Sequence, residues 1–285
     1  MAALIENTNQ ELKPKKSKRK FKIPYAWIVT WTYLIVILLI PIAALLVKAA
    51  SATPEEIWRI ATSDIALSTY EITFVTALWA GGIGGIFGTL VAWVLVRYDF
   101  PGKRIVDAAI DLPFALPTAV AGISLATVYS PTGWIGSIFE PLGIKIAFSR
   151  LGVFIAMLFI ALPFVVRTLQ PVLQEMEKEV EEVAWCLGAN KWQTFRQVIF
   201  PPLLPAILTG VVLGFSRAVG EFGSVVIIAS NIPFEDLIAP VLIFQKLEEY
   251  DYIGATIIGM VMLIISLILI LIINFLQKWG QKYAN

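Results

Sequence analysis

Six stretches of this sequence are apolar enough, at about 20 residues each, to cross the ~30 Å hydrocarbon layer of a bilayer, and no other feature constrains the fold as strongly. They cover residues 27–47, 70–96, 108–129, 151–166, 203–228 and 253–276. Within such a layer every backbone N–H and C=O must find a partner inside the protein, and long unbroken apolar runs meet that demand as helices. The sequence therefore predicts an all-α membrane protein with about six transmembrane helices. Its composition agrees, with 58% hydrophobic and only 15% charged residues. The first run is too long for a signal-peptide core and no small-residue cleavage site follows it, so a retained helix is expected.

The chain holds no histidine and a single cysteine, Cys186. A zinc site, a Cys/His nucleophile and an intramolecular disulfide are thereby excluded. Lysine and arginine are unevenly spread. Residues 1–26, 97–107, 167–202 and the tail after Leu276 carry seven, three, four and two, whereas residues 48–69, 130–150 and 229–252 carry two, two and one. Basic residues are retained on the cytoplasmic side during insertion, so both termini and the 167–202 loop are expected in the cytoplasm of a cell (inner) membrane. The seven basic residues between Lys13 and Lys22 fit an anchor to anionic lipid rather than a nucleic-acid site. Four segments result: a basic N-terminal segment (1–26), a first helix with its external loop (27–67), a membrane core (68–275) and a short tail (276–285).

Small residues and prolines shape the core. Gly81/Gly85 and Gly84/Gly88 form overlapping small-xxx-small pairs in the second run, and Gly210/Gly214 repeat the spacing in the fifth. Such pairs let helix backbones approach closely, within one chain or between subunits. Pro113 and Pro117 each remove a backbone donor, so the third helix should be kinked or broken near its start. Irregular backbone at that depth lines a cavity or is buried in protein, which makes residues 111–122 a candidate wall of a translocation pathway. Arg217 and Glu221 lie four residues apart in the fifth run and are expected to pair on one helix face. Charges inside a span usually face a cavity or a partner, so this pair is a second pathway candidate.

The loop between runs four and five has its own helical pattern. Pro171 suits a first helical position; Leu173, Met176, Val180, Val183 and Leu187 then recur at helical spacing, opposite a face rich in glutamate. Gly188 follows where a left-handed cap is expected, and Asn190 with Gln193 forms a capping box that should start a second short helix running to Pro201. By chemistry alone the product is either a membrane-surface hairpin or a docking knob for a cytoplasmic partner.

Glu182, Ala184 and Gly188, followed by Val198, Ile199, Phe200 and Pro201, resemble the EAA loop of binding-protein-dependent ABC importer permeases. That loop reads Glu-Ala-Ala, three residues, Gly, nine residues, then an aliphatic residue, any residue, Leu and Pro. Val183 and Phe200 depart from it, replacing Ala and Leu. The resemblance implies a type I importer permease fold, with the EAA loop at 171–202 seated in a groove of an ATPase subunit. Coupling to that ATPase would fall to Glu182, Ala184, Gly188, Ala189, Trp192 and Pro201. Residues 111–125, 216–233 and 239–256 further resemble sulfate/thiosulfate permease subunits, with molybdate and tungstate permeases as the nearest alternative. The implied partners are an ATPase dimer, a second homologous permease subunit, an external sulfate-binding protein and the bilayer. The chain has no GxxxxGK[ST] loop, so ATP is expected on the ATPase and no cofactor on this chain. An ion-coupled secondary transporter would show repeated, interrupted helices and carboxylates for the coupling ion; a membrane enzyme would need a catalytic set. The sequence displays neither a six-helix duplication nor such a set.

Overall fold

The computed structural model describes residues 25–284, with side chains described to Phe275, so the basic N-terminal segment lies outside the described residues. The described residues form helices and connecting turns, without strands. Five helices are long and apolar enough to cross a membrane. They are α1 (Tyr25–Ala49), α3 (Asp64–Arg97), α7 (Arg150–Glu175), α9 (Lys191–Val219) and α12 (Tyr252–Ala284), the last counted as a span from Tyr252 to Phe275. Between them lie the shorter helices α2 (Pro54–Ala61), α4 (Lys103–Ile110), α5 (Leu112–Ala115), α6 (Thr118–Tyr129), α8 (Lys178–Cys186), α10 (Val225–Ile228) and α11 (Ala239–Glu248).

The described residues divide into two units, with the boundary between residues 44 and 45. In the first, none of the residues from Tyr25 to Leu39 is buried, as expected of a helix whose apolar surface is solvated by lipid. A π-turn at Ile35–Leu39 interrupts it. In the second, α3, α7 and α9 form the centre, and their glycines set how they pack. A Cβ on Gly81 or Gly85 would press on Phe215 or Val211 of α9, and one on Gly84 or Gly88 would meet Leu158 or Val165 of α7. Gly210 and Gly214 of α9 in turn face Val165 and Ala161. The small-xxx-small pairs thus serve packing within the chain, where backbones touch because no side chain separates them.

The third expected span is interrupted. Its residues fall into α4, α5 and α6, with breaks at Asp111 and at Leu116–Pro117, where ψ turns extended. Pro113 takes an early position in α5, where its missing N–H costs nothing, and Pro117 is the N-cap residue of α6. The fourth span is longer than its apolar run suggested and keeps Pro163 and Pro171 inside it. Pro171 is therefore not the start of a loop helix. Leu169 and Leu173 are fully buried against Leu95 and Leu203. Close packing of these two side chains between α3 and α9 carries the helix past the roughly 3 kcal/mol cost of the internal proline. The helix instead ends at Glu175, because Met176 and Glu177 are extended.

The fifth expected span is likewise cut short. Helix α9 stops at Val219, the chain turns through residues 220–224, and α10 adds one further turn. Beyond it Asp236 is fully buried; it accepts hydrogen bonds from the Ser230 N–H and hydroxyl at 2.6 and 2.7 Å and from the Ile232 N–H at 3.0 Å. The first turn of α11 is tied to the bundle by Thr73 of α3, whose hydroxyl accepts the Ala239 N–H at 2.9 Å. Arg150 closes the same end by donating to the carbonyls of Phe234 and Glu235.

Candidate functional site: a helical hairpin and two interrupted spans

The hairpin between α7 and α9 is built by two caps that meet. At the end of α8, Gly188 has φ +88°, its N–H donates to Trp185 C=O at 2.9 Å, and the Ala189 N–H donates to Ala184 C=O at 3.0 Å. This pair of bonds is a Schellman cap, and the left-handed φ is why glycine stands there. Asn190 then begins α9: its side chain accepts the Gln193 N–H at 2.9 Å and its own N–H donates to the Gln193 side chain at 2.8 Å. Both expected caps are present. The second limb, however, does not end at Pro201. It runs on into α9 through a π-turn at Phe195–Ile199, closed by the Phe200 N–H on Phe195 C=O. Pro201 and Pro202 follow at once; neither can donate to the preceding turn, and a wider turn absorbs that loss without breaking the helix.

Of the residues expected to couple to an ATPase, Ala184 is buried at the hairpin's inner face, Ala189 is half-buried, and Glu182, Gly188, Trp192 and Pro201 are exposed. Val180, Val183, Trp185 and Leu187 are exposed beside them, Leu187 to 83%. An apolar surface of this kind at the tip of a hairpin marks an interaction site. Its exposed residues belong to α8 and the corner, whereas Phe195 packs inward, stacked on Trp192 at 5.8 Å and edge-on to Trp93 at 6.3 Å.

The breaks bring the start of α6, next to Pro117, against the turn that holds Glu221. A Cβ on Gly122 of α6 would lie 2.7 Å from the Ser224 carbonyl, and one on Gly223 would strike the Thr118 hydroxyl. The interrupted third span, with Pro117 at its break, thus touches the turn that interrupts the fifth. Pro113 lies one short helix away, beside Asp111. Arg217 and Glu221 do pair, with Nη1 to Oε2 at 2.8 Å, but Glu221 stands beyond the helix end rather than on the same helix face. Its side chain is 1% exposed, against 36% for Arg217. The remaining carboxylate oxygen accepts the Ser224 N–H at 3.0 Å and hydroxyl at 2.8 Å, so Glu221 holds the turn as well as the arginine.

Two ionic contacts escaped the sequence reading because their partners are far apart in the chain. Arg167 of α7 forms a two-pronged bridge to Asp111 at 2.7 and 2.6 Å and also meets Asp107 and Gln170 at 2.7 and 2.6 Å, tying α7 to the interrupted span. The amide of Gln170, with Arg167, holds the Asp107 carboxyl below the usual carboxylate range. Arg97 at the end of α3 pairs with Glu181 of α8 at 2.7 Å. The only signal for either was a charged residue next to an apolar run.

A bundle with interrupted spans and a capped, exposed helical hairpin at one end defines a membrane-embedded transport permease. The profile of the binding-protein-dependent transport system inner membrane component family matches residues 84–282, and the chain belongs to that family. The sulfate transport system permease protein CysT of Synechocystis sp. is 67% identical over 95% of this chain and 96% of its own length. The probable sulfate transport system permease protein cysT of Chlorokybus atmophyticus is 62% identical over 92% and 91%. Among solved structures, a bacterial ABC transporter involved in the import of alginate superposes with a TM-score of 0.73 at 16% identity, covering 90% of this chain and 95% of that one. The MetNI methionine ABC transporter, inward facing, gives 0.55 at 17% identity, with 82% and 100% covered. These likenesses show that the fold is that of an ABC importer permease.

Proposed function

We propose that this chain is the permease subunit of an ATP-driven, binding-protein-dependent importer of sulfate and thiosulfate. The observation that carries the reading is the hairpin at residues 178–196, a rigid corner presenting exposed apolar side chains beside Glu182. Relatives named as sulfate transport permeases over nearly the whole chain support the choice of substrate. The chain hydrolyses nothing itself; ATP is bound by a separate ATPase dimer, and a second homologous permease subunit, forming a heterodimer, and an external sulfate-binding protein complete the assembly. Both termini and the hairpin face the cytoplasm, in accord with the distribution of basic residues.

In this mechanism the hairpin docks on the ATPase through Glu182 of α8, the Gly188 corner and Trp192 at the start of α9, while Ala184, Ala189 and Pro201 set the hairpin's shape. Closure of the ATPase pair displaces the hairpin, and the closely packed α3, α7 and α9 move with it as a body. The two interrupted spans, with Pro113, Pro117, Arg217 and Glu221, line the path that opens. Arg217 offers positive charge to a dianion, and buried Glu221 both orients it and limits trapping.

Labelled-sulfate uptake by the reconstituted complex, with thiosulfate and molybdate as competitors, tests the substrate. Competition by thiosulfate but not molybdate is expected; uptake of molybdate in preference to sulfate would overturn the assignment. Exposed Cys186 on α8 tests the orientation, since a membrane-impermeant maleimide should reach it only from the cytoplasmic side.

A further inference from the structure

Where α3 leaves the bundle, its last residue grips the hairpin. The Arg97 guanidinium lies 5.4 Å from the ring centroid of Trp93, one turn back, and its Nη2 is 2.7 Å from Glu181 Oε1. The two side chains are only 10% and 15% exposed. Among the described residues Arg97 Nε, Arg97 Nη2 and Glu181 Oε1 make no hydrogen bond, so the two groups are held as an ion pair in which Glu181 neutralises the arginine. Exposed ion pairs contribute little, but a charge withdrawn from water to this extent depends on its partner. The same end of α3 reaches the second limb through the Trp93–Phe195 contact, and a cleft of about 400 Å³ runs between α3 and the two limbs.

Adjacent glutamates on α8 therefore have different surroundings: Glu181 turns to the bundle, whereas Glu182 is exposed. We propose that the Arg97–Glu181 pair is the strut that passes displacement of α8 to α3. Arg97 and Glu181 are positioning residues for coupling, Trp93 holds the guanidinium by its ring face, and Glu182 is left to meet the ATPase. Helix α3 suits this task because its glycines bring it into direct contact with both α7 and α9, so a push delivered at Arg97 is shared by the whole centre. The inference rests on the docking reading of α8 given above.

The test uses the complete complex in proteoliposomes and measures sulfate transported per ATP hydrolysed. Cross-linking from Cys186 to the ATPase checks docking separately. Glu181→Gln and Arg97→Gln should each lower the ratio on the order of tenfold with the cross-link retained, the scale on which residues of a coupling network act. Arg97→Lys, which keeps the charge, should recover part of it. The double variant Arg97→Met with Glu181→Leu removes both charges and so leaves neither one buried alone. A pair that merely stabilises the fold predicts that this double variant regains assembly and the wild-type ratio. The strut predicts regained assembly with the ratio still low. A wild-type ratio in assembled double or Glu181→Gln complexes overturns the proposal, and the isosteric Glu181→Gln decides alone if the double variant does not assemble. No cross-link in the wild-type complex would instead refute the docking reading itself, and the strut with it.

Discussion

Replacing Gly188 probes the hairpin corner with little steric complication. Its φ of +88° lies in the region that side-chain-bearing residues avoid, yet an added Cβ would meet nothing within 4 Å. The penalty for a substitution is therefore conformational alone. It amounts to about 1–2 kcal/mol for alanine, which shifts the population of the native corner by a factor of about 5–30. Asparagine tolerates the left-handed region and should lose least, while β-branched valine should lose most. The assay is sulfate uptake relative to ATP hydrolysis in reconstituted complexes, with co-purification of the ATPase as the measure of assembly. The expected order is Gly, Asn, Ala, Val, with the membrane bundle intact throughout, because the corner lies outside the helix core. Normal coupling in Gly188→Val, or asparagine as damaging as valine, would refute the argument that the Schellman geometry sets the docking angle.

Close packing of the central helices predicts that Gly88→Ala, whose Cβ would lie 2.8 Å from Val165, costs about 1–3 kcal/mol in thermal stability in detergent. Gly82→Ala, with open space around it, should be nearly neutral. At the pathway, Arg217→Gln leaves the buried Glu221 carboxylate without its counter-ion, so the yield of assembled complex should fall, and sulfate uptake per assembled complex should fall by about tenfold or more; retained uptake per complex would remove Arg217 from the path. A charge exchange between positions 217 and 221 would not test this cleanly, because an arginine at 221 cannot accept the two Ser224 bonds. Asp107 is held below the ordinary carboxylate range, so its contribution to stability is complete above about pH 4 and disappears as pH falls through the lowered value. Asp107→Asn should therefore flatten the acid limb of a thermal-stability profile.

The fold was legible where local chemistry decides. Gly188, Asn190 and Gln193 announce their caps because each cap is built from neighbours in the chain, and Pro113 with Pro117 announce the break in the third span. Pro171 misled because close packing of Leu169 and Leu173, against residues about 75 positions upstream and 30 downstream, carries the helix past a proline's local cost. The end of α9 was hidden for a related reason. The apolar run resumes at Val225–Ile228 and masks the polar and glycine-rich residues 220–224, where the turn is held by Glu221 accepting from Ser224. The pairing of Arg217 with Glu221 was readable, but its meaning was not: the carboxylate is buried and also accepts two hydrogen bonds from Ser224, and the arginine is half-open. Contacts such as Arg97 with Glu181 leave no periodic trace, and only the folded bundle brings them together.

The central claim is that this chain couples ATP hydrolysis on a partner to sulfate import. It is tested most directly by sulfate accumulation in proteoliposomes that contain the complete complex, with ATP enclosed and the binding protein outside. The account predicts accumulation against a gradient that requires hydrolysable ATP, persists when ionophores collapse proton and sodium gradients, and is lost when the ATPase is omitted. Accumulation that survives without the ATPase but collapses with an ion gradient would contradict it.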